Sequence, residues 1–181
     1  MGLDKLIDDC RKKRPKAQEE LYKRYASTLF TVALKYSRDR AQAEDNLQDA
    51  FITIFEKLDQ YKGKGSFEGW LKRITINTAL QKYRKQETLE LVNEENIQEG
   101  TVEVDEEDIQ VDFLLKIIQE LPDRYRLVFN LYVMDGYGHK EIAKMLKITE
   151  GTSKSNLARA RMILRDKINT HDNKNLKSST L

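Results

Sequence analysis

"HKEIAKMLKITEGTSKSNLARARMILRDKI", residues 139–168, reads as a short helix, a tight connection and a longer basic helix. The short piece HKEIAKML follows Gly136 and Gly138, which end the helix before it. KITEGT makes the connection, with Thr149 as the cap of the helix that follows. Two helices of this kind joined by so few residues describe a helix-turn-helix. The second carries Lys154, Ser155, Asn156, Arg159 and Arg161 near its start, the part of such a helix that meets the major groove of DNA. Lysines and arginines on helices are commonly just a solvated face, and two-helix corners also occur in proteins that never meet DNA. This half alone leaves both readings open.

Moving toward the amino terminus, DRYRLVFNLYVMD is expected to form a helix with Leu127, Val128, Leu131 and Tyr132 inward, opened by Pro122. VDFLLKIIQELP before it is expected to bury Val111, Leu114, Leu115 and Ile118, and to stop ahead of the proline, which disfavours helical geometry in the residue it follows. In the other direction NTHDNKNLKSSTL, residues 169–181, is polar and aperiodic and is expected to be disordered. Upstream, Thr88 to Asp108 holds Glu90, Glu94, Glu95, Glu99, Glu103, Asp105, Glu106, Glu107 and Asp108 and no basic residue. Such a stretch repels itself and has too little apolar surface to fold alone, so residues 88–109 read as an acidic flexible linker. The formal net charge of +2 over 181 residues conceals this segregation.

The other flank is basic. Residues 61–85, YKGKGSFEGWLKRITINTALQKYRK, carry Lys62, Lys64, Lys72, Arg73, Lys82, Arg84 and Lys85 against the single acid Glu68. Ser66 is a plausible cap just after the flexible Gly63 and Gly65. On the helix that follows, Arg73, Asn77, Gln81 and Arg84 fall on one face, with Trp70 a turn ahead and Ile76, Leu80 and Tyr83 opposite. Amides pair bidentately with adenine and arginines with guanine or phosphate, so the row is chemically able to read bases. A lone tryptophan is more often core, and a glycine loop is often only a connection. Before this, Leu21, Tyr25, Thr28, Leu29, Val32 and Tyr36 mark a helix over about 17–37. Leu47, Phe51, Ile54, Phe55 and Leu58 mark a second over about 41–58, with Asp45, Gln48, Asp49 and Thr53 on its surface. Strand-like alternation is absent. The expected fold is all-α, two small helical domains joined by the linker.

Composition narrows the function classes. Hydrophobic residues make up 39% and charged ones 34% of the chain, a balance suited to soluble helices. No run approaches the roughly 20 apolar residues of a spanning helix, and MGLDKLIDDCRKKRPK lacks a signal peptide's apolar centre, so a cytoplasmic protein without membrane contact is expected. One cysteine, Cys10, and two histidines, His139 and His171, leave too few ligands for a disulfide framework or a zinc cluster, and no cofactor is expected. Neither a phosphate-binding loop nor a nucleophile beside His139 is present, so catalysis is not expected.

AEDNLQDAFITIFEKLDQYKGKGSFEGWLKRITINTALQKYRK resembles domain two of bacterial RNA polymerase sigma factors, and LPDRYRLVFNLYVMDGYGHKEIAKMLKITEGTSKSNLARARMILR resembles domain four. The short acidic linker resembles the extracytoplasmic-function (ECF) group. The resemblance implies domain two over 1–87, the linker over 88–109, domain four over 110–168 and a tail over 169–181. It implies that Asp45, Gln48 and Asp49 contact the clamp helices of the polymerase's largest subunit, where carboxylates suit an arginine-rich partner. It implies that Lys62, Lys64, Phe67, Trp70, Arg73, Asn77, Gln81 and Arg84 serve the minus-ten element, the glycine loop holding a flipped base. Stacking on an aromatic, at ~1–3 kcal/mol per base, can offset part of the unstacking cost. Trp70 is assigned to the core, while Phe67 stays open between core and base. Lys62, Lys64, Lys72, Lys82 and Lys85 would track the phosphates, with affinity that falls as salt rises.

Domain four would read the minus-thirty-five element as duplex through Lys154, Ser155, Asn156, Arg159 and Arg161, its earlier helices packing on the flap of the second-largest subunit. An anti-sigma factor is a further partner the family implies. Two positions depart from the family pattern. Lys147 stands where a turn glycine is usual, implying a left-handed lysine at a cost of ~1 kcal/mol. Ser153 stands at a usually apolar position and would weaken the corner unless its hydroxyl finds a backbone carbonyl. The alternatives to a sigma factor that binds core polymerase and melts promoters are a sigma mimic sequestering an anti-sigma factor and a stand-alone helix-turn-helix regulator.

Overall fold

The computed structural model describes residues 2–90 and 109–178. All regular structure among them is helical, and the chain divides into two compact units, Met1–Leu91 and Val92–Leu181. Of the expected linker, residues 91–108 lie outside the described residues.

The first unit contains α1 (Leu3–Arg11), α2 (Pro15–Lys35), α3 (Arg40–Lys57), a 3₁₀ turn (Leu58–Gln60) and α4 (Phe67–Glu90). Each helix starts where local chemistry favours it. Pro15 occupies the first position of α2, where its missing N–H costs nothing. Asp39 caps α3, its carboxylate accepting from the Gln42 amide at 2.8 Å. Ser66 caps α4, its hydroxyl accepting from the Gly69 amide at 3.0 Å. The anticipated stripes of α2 and α3 pack together, with Leu21, Leu29, Ile54 and Leu58 fully buried beside Leu71 of α4. α1 was not anticipated. Its Leu6, Ile7 and Cys10 join the same core, so the basic amino-terminal stretch is a packed element. The chain leaves α1 through Lys13, held left-handed at φ 55°. Asn46, buried in α3, donates to the Ser37 hydroxyl at 2.8 Å, and that hydroxyl donates to the Ala33 carbonyl at 2.7 Å, tying α3 to the end of α2.

The second unit contains α5 (Ile109–Gln119), α6 (Asp123–Phe129), a π turn (Asn130–Met134), α7 (His139–Leu146) and α8 (Glu150–Ser178). Leu127, Val128 and Leu131 are buried as anticipated, together with Ile142, Leu157 and Ala160. Three expectations are corrected. On α5 the buried residue is Ile117, and Leu121 follows it, whereas Val111, Leu114 and Leu115 are exposed. Phe113, Ile117 and Leu121 recur every four residues, a second apolar stripe on the same helix, and this is the one that packs with α8. Tyr132 is also outward, because the chain widens into the π turn there, Asp135 N–H bonding to the Asn130 carbonyl at 3.0 Å and shifting the register of the face. The expected disordered tail is helical as far as Ser178. Its start is held by the His171 ring stacked on Phe113 at 4.0 Å, and the turn of α8 before it by the Lys167–Glu120 ion pair and by Ile168 against the core.

Candidate nucleic-acid interface

In the first unit the loop after the 3₁₀ turn is built around two left-handed glycines, Gly63 at φ 73° and Gly65 at φ 82°. Both have open space where a Cβ would sit, so backbone conformation rather than crowding selects glycine. Tyr61 closes this loop, its hydroxyl donating to the Gly65 carbonyl at 2.9 Å while its ring packs on Phe67 and Trp70 at 5.0 and 5.6 Å. Phe67 is 3% exposed and also meets Tyr25 edge-on. Its ring offers no face to a base, which corrects the stacking alternative left open for it. Trp70 stacks on Phe67 at 5.8 Å and is half-buried against the core, so the tryptophan marks the junction of loop and helix because it fastens one to the other.

Beyond the junction, Arg73, Asn77 and Gln81 are exposed along α4 and Arg84 is partly so, four residues on one side, while Leu71, Thr75 and Ala79 are buried opposite them and Ile76 and Leu80 are buried along the edge between. Lys62, Lys64 and Lys85 are exposed, and Lys72 pairs with Glu68 at 2.6 Å. On α3, Asp45 and Gln48 face solvent and Asp49 is half-buried. Asp49 and Lys82 form an ion pair at 2.6 Å, so α3 and α4 meet through residues that sequence reasoning had assigned to different partners. Ile52 extends the Asp45–Asp49 row and is 56% exposed. Helical spacing leaves it off the buried stripe of Leu47, Phe51, Ile54, Phe55 and Leu58, which is the signal that could have marked it.

In the second unit the turn between α7 and α8 places Lys147 at φ 57° and ψ 41°, left-handed as its position implied, with the Ile148 amide bonded to the Ala143 carbonyl at 3.0 Å. Thr149 caps α8, accepting from the Thr152 amide at 3.0 Å. Ser153, Leu157, Ala160 and Leu164 form the buried stripe of α8. Lys154, Ser155 and Arg159 point away from it, whereas Asn156 and Arg161 lie at its two edges. Lys154 is held by Glu150 at 2.9 Å, a hydrogen bond and charge pairing that also lower the Glu150 carboxyl's pKa. Arg161 lies over the Tyr132 ring at 6.0 Å, and Tyr132 stacks on His139 at 4.5 Å. His139 Nδ1 in turn shares a hydrogen bond with the Ser153 hydroxyl at 2.9 Å.

That last contact resolves the Ser153 departure in an unanticipated way: the partner is an imidazole from α7, and no backbone carbonyl is needed. Ser153→Ala is expected to destabilise the second unit by about 1 kcal/mol, read as a lower urea midpoint. A gain in stability would show that the hydroxyl is merely tolerated.

The family model for sigma-70 region 2 matches residues 21–88, and the family model for sigma-70 region 4 matches residues 114–164. The chain belongs to the ECF group of the sigma-70 family. The "ECF RNA polymerase sigma factor SigE" of Mycolicibacterium smegmatis is 29% identical over 89% of this chain and 65% of that protein. The "ECF RNA polymerase sigma-E factor" of Escherichia coli is 27% identical over 90% of this chain and 92% of its own length. Among solved structures, the sigma factor RpoE of Bartonella quintana, crystallised with the anti-sigma factor NepR, shares the fold with a TM-score of 0.57 at 20% identity, over 83% of this chain and 96% of that one.

In this sigma-70 family chain all candidate residues from Asp45 to Arg84 fall within region 2, and Lys154 to Arg161 within region 4. α1 precedes the region 2 match. Cys10 on that helix has its thiol pKa pushed up to about 11, chiefly by burial and then by Asp9 and Glu20, and carries no thiolate at neutral pH. Among the described residues no helix is long and apolar enough to cross a membrane.

Proposed function

We infer that the chain is a promoter-specificity subunit of bacterial RNA polymerase: a cytoplasmic sigma factor without catalysis of its own that binds core enzyme, opens promoters and initiates transcription. The observation that carries this reading is the exposed row Arg73, Asn77, Gln81 and Arg84 on α4, leading out of a glycine loop and joined in one chain to a helix-turn-helix with a basic outer face. Amides and guanidiniums in that row suit base edges of a melted strand, Lys62 and Lys64 suit its phosphates, and Lys154, Ser155 and Arg159 suit a duplex groove. Asn156 and Arg161, at the edges of α8, are the remaining duplex contacts in this reading. Trp70, which fastens the loop, supports the minus-ten site from behind.

Asp45, Gln48 and Asp49 are proposed to meet the clamp helices of the largest subunit, with Ile52 as an apolar anchor among them. The exposed Val111, Leu114 and Leu115 of α5 suit the flap of the second-largest subunit, and an anti-sigma factor would act by covering these surfaces. Replacing Asp45 and Asp49 together with Ala is expected to weaken core-enzyme affinity about tenfold or more, since each loses a charge-assisted hydrogen bond. Unchanged affinity in a competition assay would remove both from the interface. Run-off transcription with core polymerase, with and without the protein, tests the whole reading. Promoter-specific transcripts that need the protein support it; operator binding without core polymerase would indicate a regulator, and binding to an anti-sigma factor alone a mimic.

A further inference from the structure

The glycine loop of residues 61–66 has little to hold it. Two of its residues are glycines at positive φ, which resist displacement least, and its lysines are exposed. Within the region 2 match Ser66 ties its end to α4, and Tyr61 holds the rest through the ring contacts and the bond to Gly65. A further anchor comes from outside that match. Arg11, the last residue of α1, donates from Nη2 to the Tyr61 carbonyl at 2.7 Å, across 50 residues of sequence. The same guanidinium donates from Nη1 to Asp8 at 3.0 Å, one turn back on its own helix, which fixes the fork against α1. Its Nε points toward Asp59 at 3.8 Å, an ion-pair distance too long for a hydrogen bond. Asp4, Asp8, Arg11, Asp59, Tyr61 and Lys62 line a cleft between α1 and the loop.

We propose that Arg11 is a positioning residue for the promoter-melting loop: through the Tyr61 carbonyl it transmits the rigidity of α1 to the segment that carries Lys62 and Lys64. The chemistry favours this over generic bracing for three reasons. A planar fork that holds a carboxylate on one side and a carbonyl on the other sets direction as well as distance. The carbonyl it holds belongs to the residue whose side chain closes the loop, so backbone and ring of Tyr61 are restrained together. Finally, α1 is itself set into the core by Leu6, Ile7 and Cys10, which gives the fork a fixed base.

The DNA half of the inference rests on the proposed promoter role, whereas the loop half does not, and the test separates them. Native-state trypsin cleavage after Lys62 and Lys64 is compared in wild type, Arg11→Ala and Arg11→Lys, with cleavage after Lys23 on α2 as internal reference. Loss of a charge-assisted bond is expected to speed loop cleavage in Arg11→Ala about tenfold, with Lys23 cleavage unchanged and partial recovery in Arg11→Lys. Unchanged loop cleavage, or equal acceleration at Lys23, overturns the inference, the second outcome because it makes Arg11 a brace of the whole unit. In holoenzyme, the affinity of Arg11→Ala for a single-stranded non-template minus-ten oligonucleotide is expected to fall several-fold while core affinity stays at the wild-type value. A loosened loop with wild-type oligonucleotide affinity overturns the link to DNA reading. If wild-type holoenzyme shows no preference for that oligonucleotide, the sigma reading fails, and the cleavage comparison still decides whether Arg11 holds the loop.

Discussion

Asn77→Ala is expected to lower open-complex formation on a cognate promoter about tenfold to a hundredfold, the range that follows from losing one bidentate base contact worth ~1–3 kcal/mol. Its affinity for core polymerase is expected to stay at the wild-type value. The asymmetry follows from where Asn77 sits: it is exposed on α4 between Arg73 and Gln81, while Leu71, Thr75 and Ala79 are buried on the far side of the helix. Truncation leaves no cavity, and alanine is the better helix former, so helix and core survive. Permanganate footprinting of the melted region together with a core-binding titration checks both halves. Equal losses in the two measurements would show that Asn77 is structural and remove it from base recognition.

Arg126→Ala is expected to cost the second unit about 3–5 kcal/mol, the magnitude typical of breaking a buried ion pair by removing one partner. Arg126 is 4% exposed, donates to Asp123 at 2.8 Å and to the Gln119 carbonyl at 3.1 Å, and so fastens the end of α5 to the start of α6 across the Pro122 corner. A small helical unit holds only a few kcal/mol in reserve, so this loss approaches its whole stability. Hydrogen exchange should show amides of the second unit losing protection while those of the first keep theirs. Arg126→Met, which retains much of the volume, should recover part of the loss. Wild-type protection in Arg126→Ala would show that the guanidinium contributes nothing net. Affinity for duplex minus-thirty-five DNA should fall along with the protection, since the helix-turn-helix stands on this packing.

Local features were legible where the physics is local. Thr149 and Ser66 cap helices because a hydroxyl two or three residues from free amides has no competitor, and both were found from the sequence. Lys147 is left-handed where α7 ends, the conformation that brings the Ile148 amide to the Ala143 carbonyl. Asn77 and its neighbours were placed on one face by helical spacing alone. The misses differ in cause. α5 carries two apolar stripes, and spacing has no means of choosing between Val111, Leu114 and Leu115 on one side and Phe113 and Ile117 on the other. α1 is different: Leu3, Leu6, Ile7 and Cys10 recur at three- and four-residue steps, so its buried face was legible by the same spacing that marks α2 and α3.

What the sequence determined by itself is therefore the all-helical character, the helix-turn-helix, the basic row on α4 and the family that these motifs mark. Tertiary structure alone decided which stripe of α5 is sealed, that Phe67 is core, that Ser153 bonds to His139, that Asp49 pairs with Lys82 and that Arg11 reaches Tyr61. Helix periodicity and caps arise from bonds spanning three or four residues, which a window of sequence contains in full. Burial and cross-helix pairing depend on a partner from elsewhere in the chain, 50 residues away for Arg11 and Tyr61, and that partner exists only once the chain has packed.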